Sequence, residues 1–318
     1  MSTIEVKVLR KAPEAEGIAS YELARPDGRP LPAFSAGSHV DVHLPGGITR
    51  QYSLCNRHAE AQVYRIAVLR DANSRGGSAA MHERIHEGDL LQISEPRNHF
   101  PLVHAVRTVL LAGGIGITPL LCMAHRLQAV GADFELHYCT RSQARTAFAA
   151  EIAASPFASR VRFHFDDGPP AQKLDLAQAI GRTDAQTHLY VCGPAGFIQH
   201  VTEGARQLGW PGAQVHVEYF AGAAQDNSGD RAFEVKIASS GQLVRVAPQQ
   251  TVVQALAEAG LQVLTSCEQG VCGTCITRVL EGECDHRDMY FTDEEKARHD
   301  QFTPCCSRAR SPVLVLDL

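Results

Sequence analysis

Six of the ten cysteines fall between positions 267 and 306, and three of them follow the pattern Cys267-x4-Cys272-x2-Cys275. Thiolates suit iron, and this spacing is that of a [2Fe–2S] ligand loop whose fourth cysteine lies further along the chain. Ser266, Gly270, Gly273 and Thr274 are small, as a tight loop around two iron atoms requires. Glycine also lets backbone N–H groups turn toward the sulfurs and stabilise their charge. The fourth ligand is to be chosen among Cys284, Cys305 and Cys306. Cys305 leaves 29 intervening residues after Cys275 and directly precedes the last strand, which favours it. Cys306 would point elsewhere along an extended chain, and Cys284 sits in a Gly-Glu-Cys-Asp sequence read as a turn. Structural zinc also takes four thiolates and is the competing reading, although zinc sites usually use paired short spacings. Cys55, Cys122, Cys139 and Cys192 lie in apolar segments and read as small core residues.

Three further segments carry chemistry. Gly113-Gly114-Ile115-Gly116-Ile117-Thr118-Pro119 follows an apolar strand and opens a helix, which suits a diphosphate: glycines allow close approach and the helix N-terminus favours the anion. The next strand ends Thr140-Arg141-Ser142, without the acidic residue that ordinarily holds a ribose. Cys192-Gly193-Pro194 follows a later strand, where a nicotinamide could approach. Arg50-Gln51-Tyr52-Ser53-Leu54 offers a cation for a phosphate, a ring to lie along a flat cofactor and a hydroxyl to reach a ring nitrogen. Arg75-Gly76-Gly77-Ser78 is a second anion cradle, built from backbone amides and a hydroxyl. Taken singly, each is also compatible with an ordinary strand–helix turn, an exposed strand or a flexible turn.

These segments need elements to position them. Ile4–Leu9, His39–Leu44 and Val63–Leu69 alternate between apolar and polar residues, separated by turns, and predict a small antiparallel barrel. From residue 103 the pattern changes to strands at Arg107–Ala112, Phe134–Cys139, Val161–Phe165 and His188–Cys192, with helical segments between them. That alternation predicts a parallel sheet covered on both faces. In the first of these helices Thr118 is the expected N-cap, Pro119 the first helical residue and Gly131 the closing residue. Ala221–Arg231 is small and polar throughout and reads as a linker. Beyond it, Phe233–Ile237 and Leu243–Val246 form a hairpin pattern, Thr251 caps a short helix through Ala259, and Val313–Leu316 makes the last strand.

The 318 residues suffice for two or three domains, and 44% are apolar, enough for each to bury a core. A net charge of −5 gives no sign of a nucleic-acid partner. The first twenty residues lack an apolar signal core. No stretch approaches the ~18 uninterrupted apolar residues of a membrane span, since Val109–Ala124 is broken by three glycines and a proline. The expectation is a soluble, cytoplasmic protein without a membrane partner.

In this order the segments resemble the ferredoxin–NADP reductase superfamily. With a plant-type ferredoxin domain at the C-terminus, essentially the whole chain resembles the phthalate dioxygenase reductase family. The markers are Arg50–Leu54, Arg75–Ser78, Gly113–Pro119, Cys192–Pro194, Glu218-Tyr219-Phe220, the cluster cysteines, Cys305-Cys306-Ser307-Arg308 and the closing Leu314–Leu318. His286-Arg287-Asp288-Met289 and the small size are most similar to reductase components of vanillate O-demethylase-type oxygenases. The resemblance implies a multidomain chain: an antiparallel β-barrel flavin domain at 1–102, an α/β Rossmann-like nucleotide domain at 103–222, a linker at 223–231 and an α+β (β-grasp) ferredoxin domain at 232–318. It implies FMN, held by Arg50, Tyr52, Ser53, Gly77, Ser78 and Thr118 with Phe220 beside the ring. It implies NADH, at Gly113, Gly114, Gly116, Thr140, Arg141, Cys192, Gly193 and Pro194, although Ser142 and Arg145 could accept a 2′-phosphate. The [2Fe–2S] cluster is then held by Cys267, Cys272, Cys275 and Cys305.

The electron count joins the three sites. A nicotinamide gives up two electrons as a hydride, the cluster takes one, and a flavin converts between the two. None of the fifteen histidines needs a catalytic role, and most are expected at the surface. The implied function is an NADH-dependent reductase delivering electrons to a Rieske-type aromatic oxygenase or O-demethylase. A dehalogenase or a diiron oxygenase as acceptor, and a non-catalytic zinc-binding redox module, are the alternatives. Between the third and fourth ligands, Glu281, Glu283, Asp285, Asp288, Asp293, Glu294, Glu295 and Asp300 outnumber Arg287, Lys296 and Arg298. That surplus is read as an acidic rim for a basic docking face.

Overall fold

The computed structural model of the chain describes residues 3–57, 60, 62–72, 76–222 and 227–318. It divides into two compact units, Met1–Glu218 and Tyr219–Leu318.

The first unit opens with a six-stranded antiparallel sheet. Its strands are β1 (Thr3–Ala15), β2 (Ile18–Ala24), β3 (His39–Leu44), β4 (Ile48–Ser53), β5 (Tyr64–Leu69) and β6 (Leu90–Ser94), in the order β4-β3-β6-β1-β2-β5. The alternation in β1 turns Ile4, Val6 and Val8 inward. The two edge strands approach each other: the Cys55 N–H, just past β4, donates to the Arg65 carbonyl of β5 at 2.8 Å, which closes the sheet toward a barrel. Helix α1 (Gly77–Arg84) plugs this side, and Lys11 Nζ caps its last carbonyls, His82 and Ile85, each at 2.7 Å.

The same unit continues into a second sheet of β7 (Arg107–Gly113), β8 (Asp133–Thr140), β9 (Val161–Phe165), β10 (Thr187–Gly193) and β11 (Val215–Tyr219), in which β7 to β10 are parallel. Its order is β11-β10-β7-β8-β9, with α2 (Ile117–Ala129), α3 (Ala149–Ala153), α4 (Leu176–Ile180) and α5 (Ala195–Gln207) between the strands. The progression β7-β8-β9 runs one way and β10-β11 the other. The strand order therefore reverses between β7 and β10, the crevice where open α/β sheets bind ligands. One continuous apolar core joins the two sheets. A two-pronged ion pair also links them, from Arg65 on β5 to Glu151 on α3 at 2.7 and 2.8 Å.

The second unit contains a mixed sheet, β13-β12-β18-β14-β16, from β12 (Phe233–Ile237), β13 (Leu243–Val246), β14 (Thr277–Glu281), β16 (Gln301–Phe302) and β18 (Val313–Leu316). The short pair β15 (Cys284–Asp285) and β17 (Arg308–Ala309) lies outside that sheet. Helix α6 (Val252–Glu258) buries Val252, Ala255 and Leu256 against the sheet's apolar face and starts with a capping box, Thr251 with Gln254. Helix α7 (Asp293–Lys296) uses Thr292 and Glu295 in the same way. A five-stranded mixed sheet with one helix across it is the β-grasp arrangement expected for this part of the chain.

Three local expectations change. α2 begins at Ile117, because a 3-10 turn over Gly114–Gly116 runs directly into it. Thr118 is therefore not the cap but sits in the first turn, its hydroxyl donating to the Ile115 carbonyl at 3.1 Å. Cys284 is not in a turn: Gly282, at φ 105°, makes the turn, and Cys284 pairs with Ala309 in the β15–β17 ladder. Of the described histidines only His86, His99, His104 and His200 are exposed, and two pairs stack between neighbouring strands. His137 lies against His164 (Nδ1 to Nε2, 3.0 Å) and His188 against His216 (2.8 Å). Burial pushes His137 down to about 4.

Candidate functional site

Cys267, Cys272, Cys275 and Cys305 are all buried, and all are free thiols. The thiols of Cys272 and Cys305 both lie against that of Cys267, and Cys305 also lies against Cys275. The crowding makes one sulfur lose its proton first: its neighbours hold Cys267 far below the ordinary thiol range, while Cys272 and Cys305 are raised in turn. The loop builds this by left-handed turns at Gly270 (φ 71°) and Gly273 (φ 70°). A Cβ at Gly270 would strike Cys306 Sγ and Asp288, and one at Gly273 would meet the Tyr290 ring at 2.5 Å. These turns aim backbone N–H groups at sulfur, Gln269 at Cys267 (3.4 Å) and Thr274 at Cys272 (3.5 Å). Four converging buried sulfurs met by backbone donors fit an anionic iron–sulfur cluster. Cys306 stays half-buried, with its sulfur on Thr303 and Ser307, and Cys284 lies apart beside His299.

Behind the loop stands Asp288, whose carboxylate is fully buried. It accepts the Tyr290 N–H (3.1 Å), the Phe291 N–H (2.9 Å) and the Ser307 hydroxyl (3.4 Å), so it ties the 288–291 turn to the residues after Cys305. Arg287 and Arg308 both grip buried Asp230, at 2.5 and 3.3 Å. The expected linker is thus anchored at its end; its residues 223–226 lie outside the described residues. A cavity of about 320 Å³ opens beside Cys305 and Cys306, between Gln269, Gln250 and the two arginines.

In the first unit Gly113–Gly116 and Cys192–Pro194 lie side by side at the reversal between β7 and β10, where Cys192 pairs with Ala112. The glycines are there for clearance. A Cβ at Gly116 would enter the Cys192 carbonyl, and one at Gly193 would meet Gly113 Cα at 2.9 Å. Gly114, in the left-handed region, has open space above it. Thr140 is buried and bonded to Thr146 (2.7 Å), while Arg141 is exposed. Arg145 is taken up by Glu16 at 3.0 Å. On the barrel, Gly76 (φ 87°) starts α1, and Arg50 lies across Gly77, where a Cβ would meet its Cγ at 2.5 Å and Nε at 2.7 Å. A guanidinium packed beside the first residues of a helix fits a phosphate monoester. Tyr52 is half-buried, Ser53 is buried, and Ser78 Oγ accepts the Asp71 N–H at 3.2 Å. Arg75 lies outside the described residues. Phe220, in the second unit, is exposed.

Residues 235–310 match the 2Fe-2S iron-sulfur cluster binding domain. The chain is 55% identical over 316 residues to the vanillate O-demethylase oxidoreductase of Pseudomonas sp. (strain HR199 / DSM 7063), covering 99% of this chain and 100% of that one. It is 40% identical over 318 residues to the phthalate dioxygenase reductase of Burkholderia cepacia, covering 99% and 97%. Its fold matches a solved phthalate dioxygenase reductase with a TM-score of 0.78 at 40% identity, covering 100% of this chain and 98% of that one. The chain belongs to the phthalate dioxygenase reductase family.

Within this phthalate dioxygenase reductase-family chain, one grouping had not been assembled from the sequence. Glu218, quoted only as a family marker, brings its carboxyl to the Ser53 hydroxyl (3.4 Å) and the Cys192 thiol (4.0 Å). The residue is half-buried, but burial of the carboxyl itself pushes it up to about 8, so it is protonated at neutral pH. The same burial, together with Glu218, holds Cys192 well above the ordinary thiol range. The carboxyl thus sits, within the first unit, beside both the barrel residue Ser53 and the crevice residue Cys192. The acidic rim shrinks. Asp288 is buried and Asp285 is paired with Arg287 (2.9 Å), which leaves Glu281, Glu283, Asp293, Glu294 and Asp300 exposed. No described helix is long and apolar enough to cross a membrane.

Proposed function

We propose that this protein is the NADH-dependent reductase component of a two-component Rieske-type aromatic oxygenase or O-demethylase, working in the cytoplasm and carrying electrons to its oxygenase partner. The observation that carries this is the convergence of four buried thiols in an iron–sulfur domain on the same chain as a nucleotide crevice and a barrel. The working modules are the barrel at 1–102, the nucleotide domain at 103–222, the linker at 223–231 and the ferredoxin domain at 232–318.

Bound FMN would supply the conversion between the two-electron chemistry of NADH and the one-electron chemistry of the [2Fe–2S] cluster. The chain's residues bind and orient. Arg50 and the Gly77–Ser78 amides hold the FMN phosphate, and Tyr52, Ser53, Thr118 and Phe220 border the flavin. Gly113, Gly114 and Gly116 take the NADH diphosphate at the start of α2. Thr140 and Arg141 border the ribose, and Cys192, Gly193 and Pro194 border the nicotinamide. NADH rather than NADPH suits a site whose Arg145 is already paired with Glu16. Ser53 is oriented by donating its hydroxyl to the Glu218 carboxyl at 3.4 Å. Cys267, Cys272, Cys275 and Cys305 hold the cluster, and Asp288, Arg287 and Arg308 keep its loop and the end of the linker in place.

The test is one spectrum and one turnover assay. The purified protein should show flavin and iron–sulfur absorbance bleached by NADH, and should support oxygenation by its partner. A colourless zinc protein refutes the reading outright. Bleaching without delivery to a Rieske oxygenase refutes the assigned partner.

A further inference from the structure

We propose that Cys284, His286 and His299 form a second metal site, for a borderline-soft divalent ion of the zinc class, using none of the four cluster cysteines. One donor atom from each residue lies within 4.8 Å of the other two. Thiolate and imidazole together suit zinc-like ions.

His286 supplies the observation that points to a ligand. Its side chain is 6% exposed, and its Nε2 is buried with no hydrogen-bond partner among the described residues. Its other nitrogen, Nδ1, faces Asp288 Oδ1 at 3.2 Å. Asp288 takes donors from Ser307, Tyr290 and Phe291, so it acts as an acceptor and Nδ1 carries the proton. The lone pair of Nε2 is then left bare in a buried place. A histidine that donates one nitrogen to a carboxylate and presents the other bare is the usual support for a metal-binding imidazole.

The other two donors are close by on separate elements. Cys284 is buried in β15, and its thiol has only a long contact to the His299 carbonyl at 3.8 Å. His299 follows α7 in the left-handed region, at φ 52°, with its Nδ1 accepting the Cys284 N–H at 3.1 Å. Coordination through that nitrogen exchanges one neutral hydrogen bond for one coordinate bond. In a tetrahedral zinc site the donors lie about 3.5 Å apart, so the three side chains must draw in slightly. The ion replaces the proton of the Cys284 thiol, which passes to solvent, and water completes the coordination. Loaded in this way, the site pins β15 to the end of α7, within the segment between the third and fourth cluster ligands.

The experiment is equilibrium dialysis of tag-free holoprotein against zinc sulfate, with zinc and iron counted by elemental analysis. The native chain should take up about one zinc per chain with its iron unchanged. Cys284→Ser is nearly isosteric, and His299→Asn keeps a residue that tolerates the left-handed backbone. Each should weaken uptake about tenfold or more, again with iron unchanged. The proposal is overturned if the native chain takes up no zinc, if both variants take it up equally, or if zinc enters only as iron leaves.

Discussion

Replacing Glu218 by Gln tests the proton stored beside Ser53. The carboxyl stands at about 8 in the folded chain against an ordinary 4.5. Between those values the folded chain binds a proton that the unfolded chain has released. Stability therefore falls as pH rises across this window and levels off above 8. From pH 6 to pH 8.5 that is just under two units at about 1.36 kcal/mol each, roughly 2.5 kcal/mol. Partial solvent access to the residue brings the working figure to about 2 kcal/mol. Glutamine keeps the shape and removes the titration. The chain has a single tryptophan, Trp210, buried in the same unit with its indole N–H on the Gly181 carbonyl at 3.1 Å. Urea unfolding of flavin-replete protein, followed by that fluorescence, reports the stability of the unit that holds Glu218. The native protein should lose about 2 kcal/mol more than Glu218→Gln between pH 6 and 8.5. Parallel losses in the two proteins would show that Glu218 is already ionised at neutral pH and refute its raised pKa.

Cys272→Ser should abolish electron delivery to the partner while leaving NADH-dependent bleaching of the flavin; loss of both in a folded variant contradicts the linear electron order. In the same series Cys305→Ser should lose iron, and Cys306→Ser should keep it. Gly77→Ala places a methyl against Arg50. Displacing one charge-assisted phosphate contact costs about 1.5–3 kcal/mol, so FMN binding should weaken roughly ten- to a hundredfold by fluorescence titration. Asp230→Asn leaves Arg287 and Arg308 without their shared buried partner and should destabilise the second unit by about 3 kcal/mol, read from the denaturant midpoint of the cluster absorbance. Electron transfer to the partner should slow as salt rises and the Debye length shrinks from about 30 Å to about 8 Å; a rate indifferent to ionic strength removes the docking role of the exposed acids.

What could be read from the sequence was what is local in it. The cluster loop is set by offsets of four and two residues and by Gly270 and Gly273, whose φ values no other residue adopts as freely. The nucleotide turn, the capping box at Thr251 and the hairpin after residue 232 are equally local. What escaped depends on register and topology. Ser53 and Glu218 are 165 residues apart and meet only because the barrel and the nucleotide sheet share one core. The histidine stacks arise from the pairing of neighbouring strands, β8 with β9 and β10 with β11, which no single strand announces. Thr118 has the composition of a cap, but a 3-10 turn at Gly114–Gly116 had already begun the coil.

The segment from 281 to 300 shows why counting charges reaches only half of the answer. By formal charge it is an acidic loop; by burial it has two layers. Asp288 lies inside, held by two backbone amides and a hydroxyl. Glu281, Glu283, Asp293, Glu294 and Asp300 lie outside. Bulk salt screens exposed charges far more than buried, paired ones. The inner carboxylate is therefore shielded from bulk salt, and the outer five acids are the ones expected to steer a partner. Neutralising an outer acid such as Glu283 should reduce the salt dependence of electron transfer and leave the cluster spectrum unchanged. Neutralising Asp288 should disturb the spectrum and leave the salt dependence as it was.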